Sequence, residues 1–376
     1  MVHVSARGVV LLFFAPLALI AGPVYSIQNL GALGTGVSQL GGINSSGMAA
    51  GFVTTAQGDL AAESFANGTV TVLATNALAL GVNDSGVIAG STYAGLDPTV
   101  AEWTNGKMTK LNIPGYATGI NNAGQVAGGY ITPAGTLHAF LWTNGTLSDL
   151  GTLGGGWSSA YGINSAGQVA GTSLTSNSTF HAFFNNGQQN SDLGTLGGNN
   201  SYGMAVNNSG VVVGNSQLSS GYAHAFAWSG SGIKDLGTLG GSQSYAYGVN
   251  DAGSIVGVSF LTGNQTEHGF VDTNGVMLDL NALLPLTSGW VIDGAYAINN
   301  GGDILAEGTF KNQLYAVELT PGASTLAPEP STFLFAGLGL CGIGGLAFGY
   351  RRRNSSLQPR SAAISLIRGA LYRFRR

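Results

Sequence analysis

The amino-acid sequence predicts an all-β fold built from repeated units, for three reasons. Glycine accounts for 62 of the 376 residues, charged residues are only 8% of the chain, and hydrophobic residues are 44%. This composition is too apolar for a disordered chain and too rich in glycine for a helical one. Short apolar runs also alternate with turns that contain Asn and Gly, a pattern typical of tightly turning β-strands.

The repetition is clearest in the middle of the chain. The octapeptide Ser-Asp-Leu-Gly-Thr-Leu-Gly-Gly at residues 148–155 returns at 191–198 and, with Lys234 in place of Ser, at 234–241, so the period is 43 residues. A second signature, Tyr-Gly-Ile-Asn-Ser-Ala-Gly-Gln-Val-Ala-Gly at 161–171, recurs in looser form. Its seven copies centre on Asn44, Asn83, Asn121, Asn164, Asn207, Asn250 and Asn299.

Each unit is consistent with two β-hairpins, one turning at an Asn-x-x-Gly segment such as residues 164–167 and one at Asn144-Gly145 or its equivalents. Four strands in about 43 residues match the blades of a β-propeller, and seven units fall within the usual number of blades. For residues 27–320 we therefore expect a seven-repeat β-propeller-like domain of four-stranded blades. A β-solenoid is the alternative, because Gly and Ala dominate the repeats.

A permuted strand favours a closed ring over a solenoid. The seventh repeat stops after its third strand, at residues 314–320, and lacks the Asp-Leu-Gly strand. Residues 27–34 resemble that missing strand and precede the first Asn turn. We expect them to complete the seventh blade, which would remove two exposed sheet edges. A solenoid would instead need caps at its ends.

A His-Ala-Phe triplet marks four of the repeats, at His138, His181, His224 and, with Gly in the second position, His268. Together with the other two signatures, it resembles the HAF-type extracellular repeats, over nearly all of residues 27–320. Repeats one, two and seven lack the triplet. The resemblance implies an exported protein and supplies no catalytic residues.

Each of these histidines precedes an aspartate by eleven residues, which would place the two side chains opposite each other in the second hairpin. We predict four structural pairs, in which the carboxylate orients the imidazole ring. The alternative, a metal-binding ring of histidines, is disfavoured because equivalent positions converge only near the axis and three repeats lack the His. No catalytic, cofactor or metal site is predicted. The pairs are His138 with Asp149, His181 with Asp192, His224 with Asp235, and His268 with Asp279.

The two ends of the chain predict export. Arg7, the apolar residues 9–20 and a run of small or turn-forming residues have the layout of a signal peptide over residues 1–26, with cleavage between Ala21 and Ser26. An uncleaved anchor is the alternative. Residues 331–350 carry no charge, and a helix there would be about 30 Å long, enough to cross a bilayer. The basic residues 351–376 predict a cytoplasmic tail.

Before this span, the linker of residues 321–330 ends in Pro328-Glu329-Pro330, and after it stand Arg351, Arg352 and Arg353. This order resembles the PEP-CTERM sorting domain. The resemblance implies processing by an exosortase-type enzyme and delivery to the outer surface or extracellular matrix of a Gram-negative bacterium. The chain departs from the family by continuing for 23 residues after Arg353, and a plain membrane anchor is the alternative.

The charge balance excludes nucleic acid as a partner, because residues 27–327 hold four lysines against sixteen acidic residues, a formal charge of −12. The lone Cys341 can form neither an intramolecular disulfide nor a thiolate metal cluster. Tryptophans at a shared repeat position, Trp142 and Trp228, are expected in the core, whereas Trp157 and Trp290 are expected at the surface.

Two functional hypotheses remain. The first is a non-catalytic surface or matrix protein for adhesion or exopolysaccharide interaction. The alternative is a propeller enzyme acting on extracellular glycan, for which Asp97, Glu102 and Glu267 would have to supply a carboxylate pair. The scattered acidic residues and the absence of hydrolase and phosphate-binding motifs favour the first hypothesis.

Overall fold

The computed structural model describes residues 25–33, 38–55 and 57–322, which form β-strands with one short 3-10 turn at Leu280–Leu283. The strands in chain order are β1 Tyr25–Ala32, β2 Ser38–Ile43, β3 Ala49–Thr54, β4 Leu60–Ala66, β5 Thr69–Thr75, β6 Ala77–Val82, β7 Ile88–Ala94, β8 Asp97–Thr104, β9 Lys107–Ile120, β10 Val126–Ile131, β11 Leu137–Thr143, β12 Thr146–Gly151, β13 Gly154–Ile163, β14 Val169–Thr175, β15 Phe180–Asn185, β16 Asn190–Asp192, β17 Gly197–Val206, β18 Val212–Leu218, β19 Ala223–Trp228, β20 Ile233–Asp235, β21 Gly240–Val249, β22 Ile255–Leu261, β23 Glu267–Thr273, β24 Val276–Asp279, β25 Trp290–Ile298, β26 Ile304–Phe310 and β27 Gln313–Pro321.

Consecutive strands pair as antiparallel hairpins and build an all-β, propeller-like arrangement. Four sheets have four strands each, in the orders β2-β3-β4-β5, β17-β18-β19-β20, β21-β22-β23-β24 and β1-β27-β26-β25. A fifth sheet has eleven strands and runs from β6 to β16. The prediction of an all-β repeat fold is therefore confirmed.

The described residues form five hydrogen-bonded sheets, fewer than the seven separate blades that the sequence predicts. Three repeats merge into the eleven-stranded sheet for two reasons. Strand β9 is fourteen residues long, and its first half pairs with β8 while its second half pairs with β10. In addition, Leu137 of β11 makes one parallel contact with Trp157 of β13. Backbone hydrogen bonding thus crosses between units where a turn was expected to separate them.

The predicted closure of the chain is confirmed. Strand β1 pairs antiparallel with β27, from Tyr25 opposite Pro321 to Ala32 opposite Tyr315. The first and last described strands therefore share one sheet and cover each other's edges. The β-solenoid alternative is wrong, since a solenoid would keep its two ends apart.

The hydrophobic core lies between neighbouring repeats, and side chains of the His-Ala-Phe triplets fill it. The four triplet phenylalanines are completely buried. Phe183 packs against Ala127 and Ala139 of the preceding repeat, while Ala182 of the same triplet receives Phe226 of the following one. Large and small side chains thus interlock around the structure, as close packing requires. The phenylalanines are Phe140, Phe183, Phe226 and Phe270.

Several predictions concern residues outside the described ranges: most of the signal peptide, the Pro328-Glu329-Pro330 motif, the span 331–350 and the arginines that follow it. Within residues 25–33, 38–55 and 57–322, no helix is long and apolar enough to cross a membrane.

Candidate functional site

Seven buried asparagines form a closed ring of hydrogen bonds. In each Asn turn, the side-chain Oδ1 accepts from the backbone N–H four residues later, and the side-chain Nδ2 donates to the backbone carbonyl of the next asparagine at 2.9–3.2 Å. The side chain of Asn299, in the last repeat, donates to the backbone carbonyl of Asn44 in the first repeat and closes the ring. The ring runs through Asn44, Asn83, Asn121, Asn164, Asn207, Asn250 and Asn299.

Sequence reasoning missed this ring. The Asn-x-x-Gly segments were identified only as turns; in the structure the positive φ of each turn lies at its glycine, such as Gly167, and the asparagine makes the hydrogen bonds. The available signal was the recurrence, once in each repeat, of a residue that carries both a donor and an acceptor. Each of these buried amides already uses its oxygen within its own turn and its nitrogen on the next repeat, which makes the ring a structural framework.

The inner strands enclose a central channel of about 220 Å³. Its wall is mostly Gly and aliphatic residues, but three tyrosines line one side, and the rings of Tyr247 and Tyr296 stack with centroids 5.4 Å apart. The Tyr296 hydroxyl donates to Glu307 Oε2 at 3.3 Å. Burial, together with the nearby Glu307 carboxylate, raises the pKa of Tyr296 well above its usual value. The Tyr296 phenol therefore stays protonated and serves as a hydrogen-bond donor, not as a base. The third tyrosine is Tyr161.

The structure brings every predicted histidine and aspartate together. The imidazole Nδ1 lies 2.7–3.0 Å from a carboxylate oxygen in all four pairs, which sit at equivalent positions on β11, β15, β19 and β23. Each aspartate also accepts from the backbone N–H two residues later, such as Gly151 N at 2.7 Å from Asp149. The histidine side chains are 17–22% exposed and the aspartates 26–44%.

The pair at His138 has an additional partner. The Tyr130 hydroxyl donates to Asp149 Oδ2 at 2.7 Å. Desolvation alone would raise the pKa of Asp149, but the hydrogen bonds from Gly151, Tyr130 and His138 outweigh it and hold this pKa below its usual value. Burial and the same carboxylate raise the pKa of Tyr130 to about 12. The aspartate is thus held ionised as an acceptor.

A polar groove of about 380 Å³ opens beside His181 and Asp192. It lies at one end of the sheet, between the β14–β15 turn and the connection from β16 to β17. Besides the pair, the groove is lined by hydroxyl and amide side chains. These include Thr175, Ser176, Asn177, Thr179, Thr195 and Asn199.

The other candidates are dispersed. Asp97 and Glu102 lie on β8, whereas Glu267 begins β23 in a different sheet, where its charge acts on Tyr245 and Tyr247. Burial raises the pKa of Glu102. Among the described residues, no group of three His, Cys, Asp or Glu side chains is placed to hold a metal ion.

The positions of the tryptophans, in the core or at the surface, differ in part from the prediction. Trp142 and Trp228 pack at the edges of apolar clusters, and Trp103, at the same repeat position, is the most buried at 1% exposure. Trp290, expected at the surface, stacks on Phe310 at 4.9 Å and packs against the apolar cluster of the closing sheet, because the β25–β26 register sets it opposite Phe310. Trp157 is half-buried against Phe180 at 5.5 Å.

No protein-family model and no curated protein matches the sequence. Solved structures do resemble it. A puromycin-hydrolyzing peptidase from Mycobacterium tuberculosis is 10% identical, with a TM-score of 0.52 over 76% of this chain and 51% of that chain. TolB from Acinetobacter baumannii is 11% identical, with a TM-score of 0.43 over 70% of this chain and 60% of that chain. The WD40 β-propeller domain of Doa1 is 15% identical, with a TM-score of 0.42 over 80% of this chain and 98% of that chain.

The chain therefore spans about half the length of the peptidase and three fifths of the length of TolB. At such low identity the likeness concerns the fold alone, because one fold hosts many functions.

Proposed function

We propose that this chain is a non-catalytic binding protein, exported and presented at the outer surface or in the extracellular matrix, where it contacts exopolysaccharide. The observation that carries the proposal is the repetition of the His–Asp pairs. A catalytic centre needs a nucleophile, a base and a stabilising donor converging on one point. Here the same two side chains recur at equivalent positions on four separate strands. Such an arrangement supports repeated recognition of one chemical unit.

The seven repeats act as seven propeller blades in this proposal, although three of them share a hydrogen-bonded sheet. The closed ring of seven asparagines supports this count, since each repeat contributes one member. The net charge of −12 in residues 27–327 supports a partner other than nucleic acid.

The binding role is tested with the producer's own exopolysaccharide. The full chain is incubated with the polymer, and both co-sedimentation and the release of reducing ends are measured. We expect saturable binding without release of reducing ends. Time-dependent depolymerisation would instead establish the glycan-cleaving alternative, and absence of both binding and cleavage would refute a polysaccharide role.

Sorting is proposed to depend on Pro328, Glu329 and Pro330, the uncharged span 331–350 and the arginines Arg351 to Arg353. Intact mass and cell fractionation of the mature protein test it. The wild type should end near residues 328–330 and leave the inner membrane, whereas Glu329→Ala should remain full-length and membrane-bound. Arg360→Ala, outside the motif, is the control and should behave as wild type. A full-length wild-type chain in the membrane would contradict the proposal.

A further inference from the structure

We propose that the His–Asp pairs of repeats three to six form a row of equivalent subsites for a neutral, polyhydroxylated polymer, a glycan chain without acidic groups. This inference rests on the proposed binding function and assigns its surface. The best-defined subsite is the groove beside His181 and Asp192, with a volume of about 380 Å³.

The His181–Asp192 pair keeps hydrogen-bonding atoms that the hydrogen bond between the two side chains does not use. His181 Nδ1 lies 2.8 Å from both oxygens of Asp192, and Nε2 has no hydrogen-bond partner in the described part of the chain. Because Nδ1 donates to the carboxylate, a neutral imidazole presents Nε2 as an acceptor. The Asp192 side chain is 44% exposed, so its oxygens retain lone pairs for further donors. Two adjacent acceptors suit the neighbouring hydroxyls of a sugar.

The remaining lining residues indicate a neutral ligand. Hydroxyl and amide groups such as Thr179, Asn177 and Asn199 both donate and accept, as sugar hydroxyls do. No lysine or arginine is among the lining residues, and each subsite brings its own carboxylate. An anionic polymer would therefore meet repulsion from Asp192 and find no compensating cation among the residues that line this groove.

Three aromatic rings pack together near the start of β15, the strand that carries His181. Phe180 directly precedes His181 in β15, and its ring contacts Trp157 at 5.5 Å and stacks on Tyr202 of the next repeat at 6.0 Å with an interplanar angle of 27°. All three residues are partly exposed. They supply partly exposed apolar surface at the same end of β15 as His181, which suits the less polar face of a pyranose ring.

The same local construction recurs along the chain. The threonine of each Asp-Leu-Gly-Thr segment donates to the carbonyl of the glycine three residues later at 2.8 Å, in Thr152, Thr195 and Thr238. Three aspartates are 39–44% exposed, whereas Asp279 of the fourth pair is 26% exposed. The His138 pair has additional partners in Tyr130 and Thr136, so the pairs at His181 and His224 are the more open ones. Subsites repeated along the chain would engage a periodic polymer at several points, so weak single contacts would combine.

The test fills the subsites without touching the His–Asp pairs. Asn177 is exposed in the β14–β15 turn, and Ala134 and Ser220 are its exposed equivalents in the neighbouring repeats. Single (Asn177→Trp) and triple (Ala134→Trp, Asn177→Trp, Ser220→Trp) variants of the full chain are compared with Gln188→Trp. Gln188 is exposed in the β15–β16 turn, at the other end of the same sheet. Thermal melting shows that each variant is folded.

Binding is measured with fluorescent dextran, galactan and mannan, with alginate as the polyanion, and with the producer's exopolysaccharide. At least one neutral polymer should bind, and its short oligosaccharides should bind at least about tenfold more weakly. Asn177→Trp should weaken binding about threefold or more, the triple variant should abolish it, and Gln188→Trp should leave it unchanged.

Unchanged binding by the folded triple variant, or preference for alginate, would overturn the assignment of these subsites. If the triple variant still binds the producer's exopolysaccharide, the subsite assignment fails while the proposed function stands. If the wild type binds none of the polymers, both fail.

Discussion

Asn164 illustrates how a single side chain can join two repeats. Its Oδ1 accepts from the Ala166 and Gln168 backbone N–H groups of its own turn, and its Nδ2 donates to the Asn207 carbonyl at 3.0 Å. At 4% exposure, all of these groups are shielded from water. Neither leucine nor aspartate would satisfy them, since the position requires an acceptor and a donor on one short side chain.

Replacing Asn164 by Ala should therefore lower the free energy of unfolding by about 2–4 kcal/mol, because it leaves buried backbone groups of two repeats without partners. Urea denaturation followed by circular dichroism measures the change. Asn199→Ala is the matched control, because Asn199 is exposed. If the free energy of unfolding falls no more than in the control, the asparagine ring does not contribute to stability.

Glu63 is a buried carboxyl group that sequence reasoning overlooked. It pairs with Gly51 as Phe140 pairs with Gly128, so it occupies the position of a triplet phenylalanine, and it is 8% exposed. Desolvation raises its pKa. A raised pKa means that the folded state binds the proton more tightly than the unfolded state. The resulting stability is present at low pH and is lost as the pH rises through the folded-state pKa.

Glu63→Gln should consequently raise the melting temperature at pH 7 more than at pH 4, since the neutral amide avoids the buried charge. Melting curves at the two pH values test this. Asp97→Asn changes an exposed carboxyl group and should show a much smaller pH-dependent difference. An equal effect at both pH values would show that Glu63 is not the titrating group.

At the scale of elements, β1 is the decisive strand, because it joins the two ends of the chain. Leu30 is completely buried in a cluster with Leu305 and Ala316. Tyr25, at the start of the strand, is 4% exposed and packs with Leu319 on the same sheet. The strand thus supplies core residues at Tyr25 and Leu30, which belong to two different clusters.

Leu30→Ala should cost about 2–5 kcal/mol, the usual range for truncating a buried leucine. Chemical denaturation provides the measurement. Gln28→Ala, on an exposed position of the same strand, should stay within about 0.5 kcal/mol of wild type. If both variants were equally stable, β1 would not contribute to the folded core.

The position of Tyr25 also constrains export. A signal peptidase cut between Tyr25 and Ser26 would remove a core residue, so within the predicted window of Ala21 to Ser26 we expect cleavage before Tyr25. N-terminal sequencing of the exported protein determines the site. A mature chain starting at Ser26 or later would contradict this expectation.

Strand β9 shows that local sequence rules do not always predict where a strand ends. The 14-residue β9 contains Pro114 and Gly115, residues that predict a break between repeats. Instead, Pro114 pairs with Thr99 on one side and Gly115 with Tyr130 on the other, so one strand serves two units. Each half pairs with the strand next to it in the chain, and the backbone stays extended through Pro114 and Gly115 where a break between repeats was expected.

The whole molecule behaves as a closed ring in which each repeat buries its core against its neighbours. Phe140, Phe183 and Phe226 each pack on residues of the preceding repeat, and β1 pairs with β27. A single repeat has no core of its own. Stability should therefore be shared by all repeats, in contrast to an open array whose ends can unfold separately.

Thermal unfolding should accordingly be a single cooperative transition. Trp103, Trp142 and Trp228 lie in three different repeats, so tryptophan fluorescence and near-ultraviolet circular dichroism report on separate regions. Their transition midpoints should coincide with that of the far-ultraviolet signal. Distinct midpoints would indicate that the repeats unfold independently.

The amino-acid sequence by itself determined the all-β class, the repeat boundaries, the His–Asp spacing and the permuted strand. These follow from local rules, since turn residues and a fixed repeat length specify which strands are neighbours. Only the tertiary structure decided that three repeats share a sheet, that seven asparagines form a continuous ring, that Glu63 is buried and that a groove opens beside His181. These features depend on backbone pairing and side-chain packing between strands and between repeats, whose geometry is set when the ring closes and all the interfaces pack together.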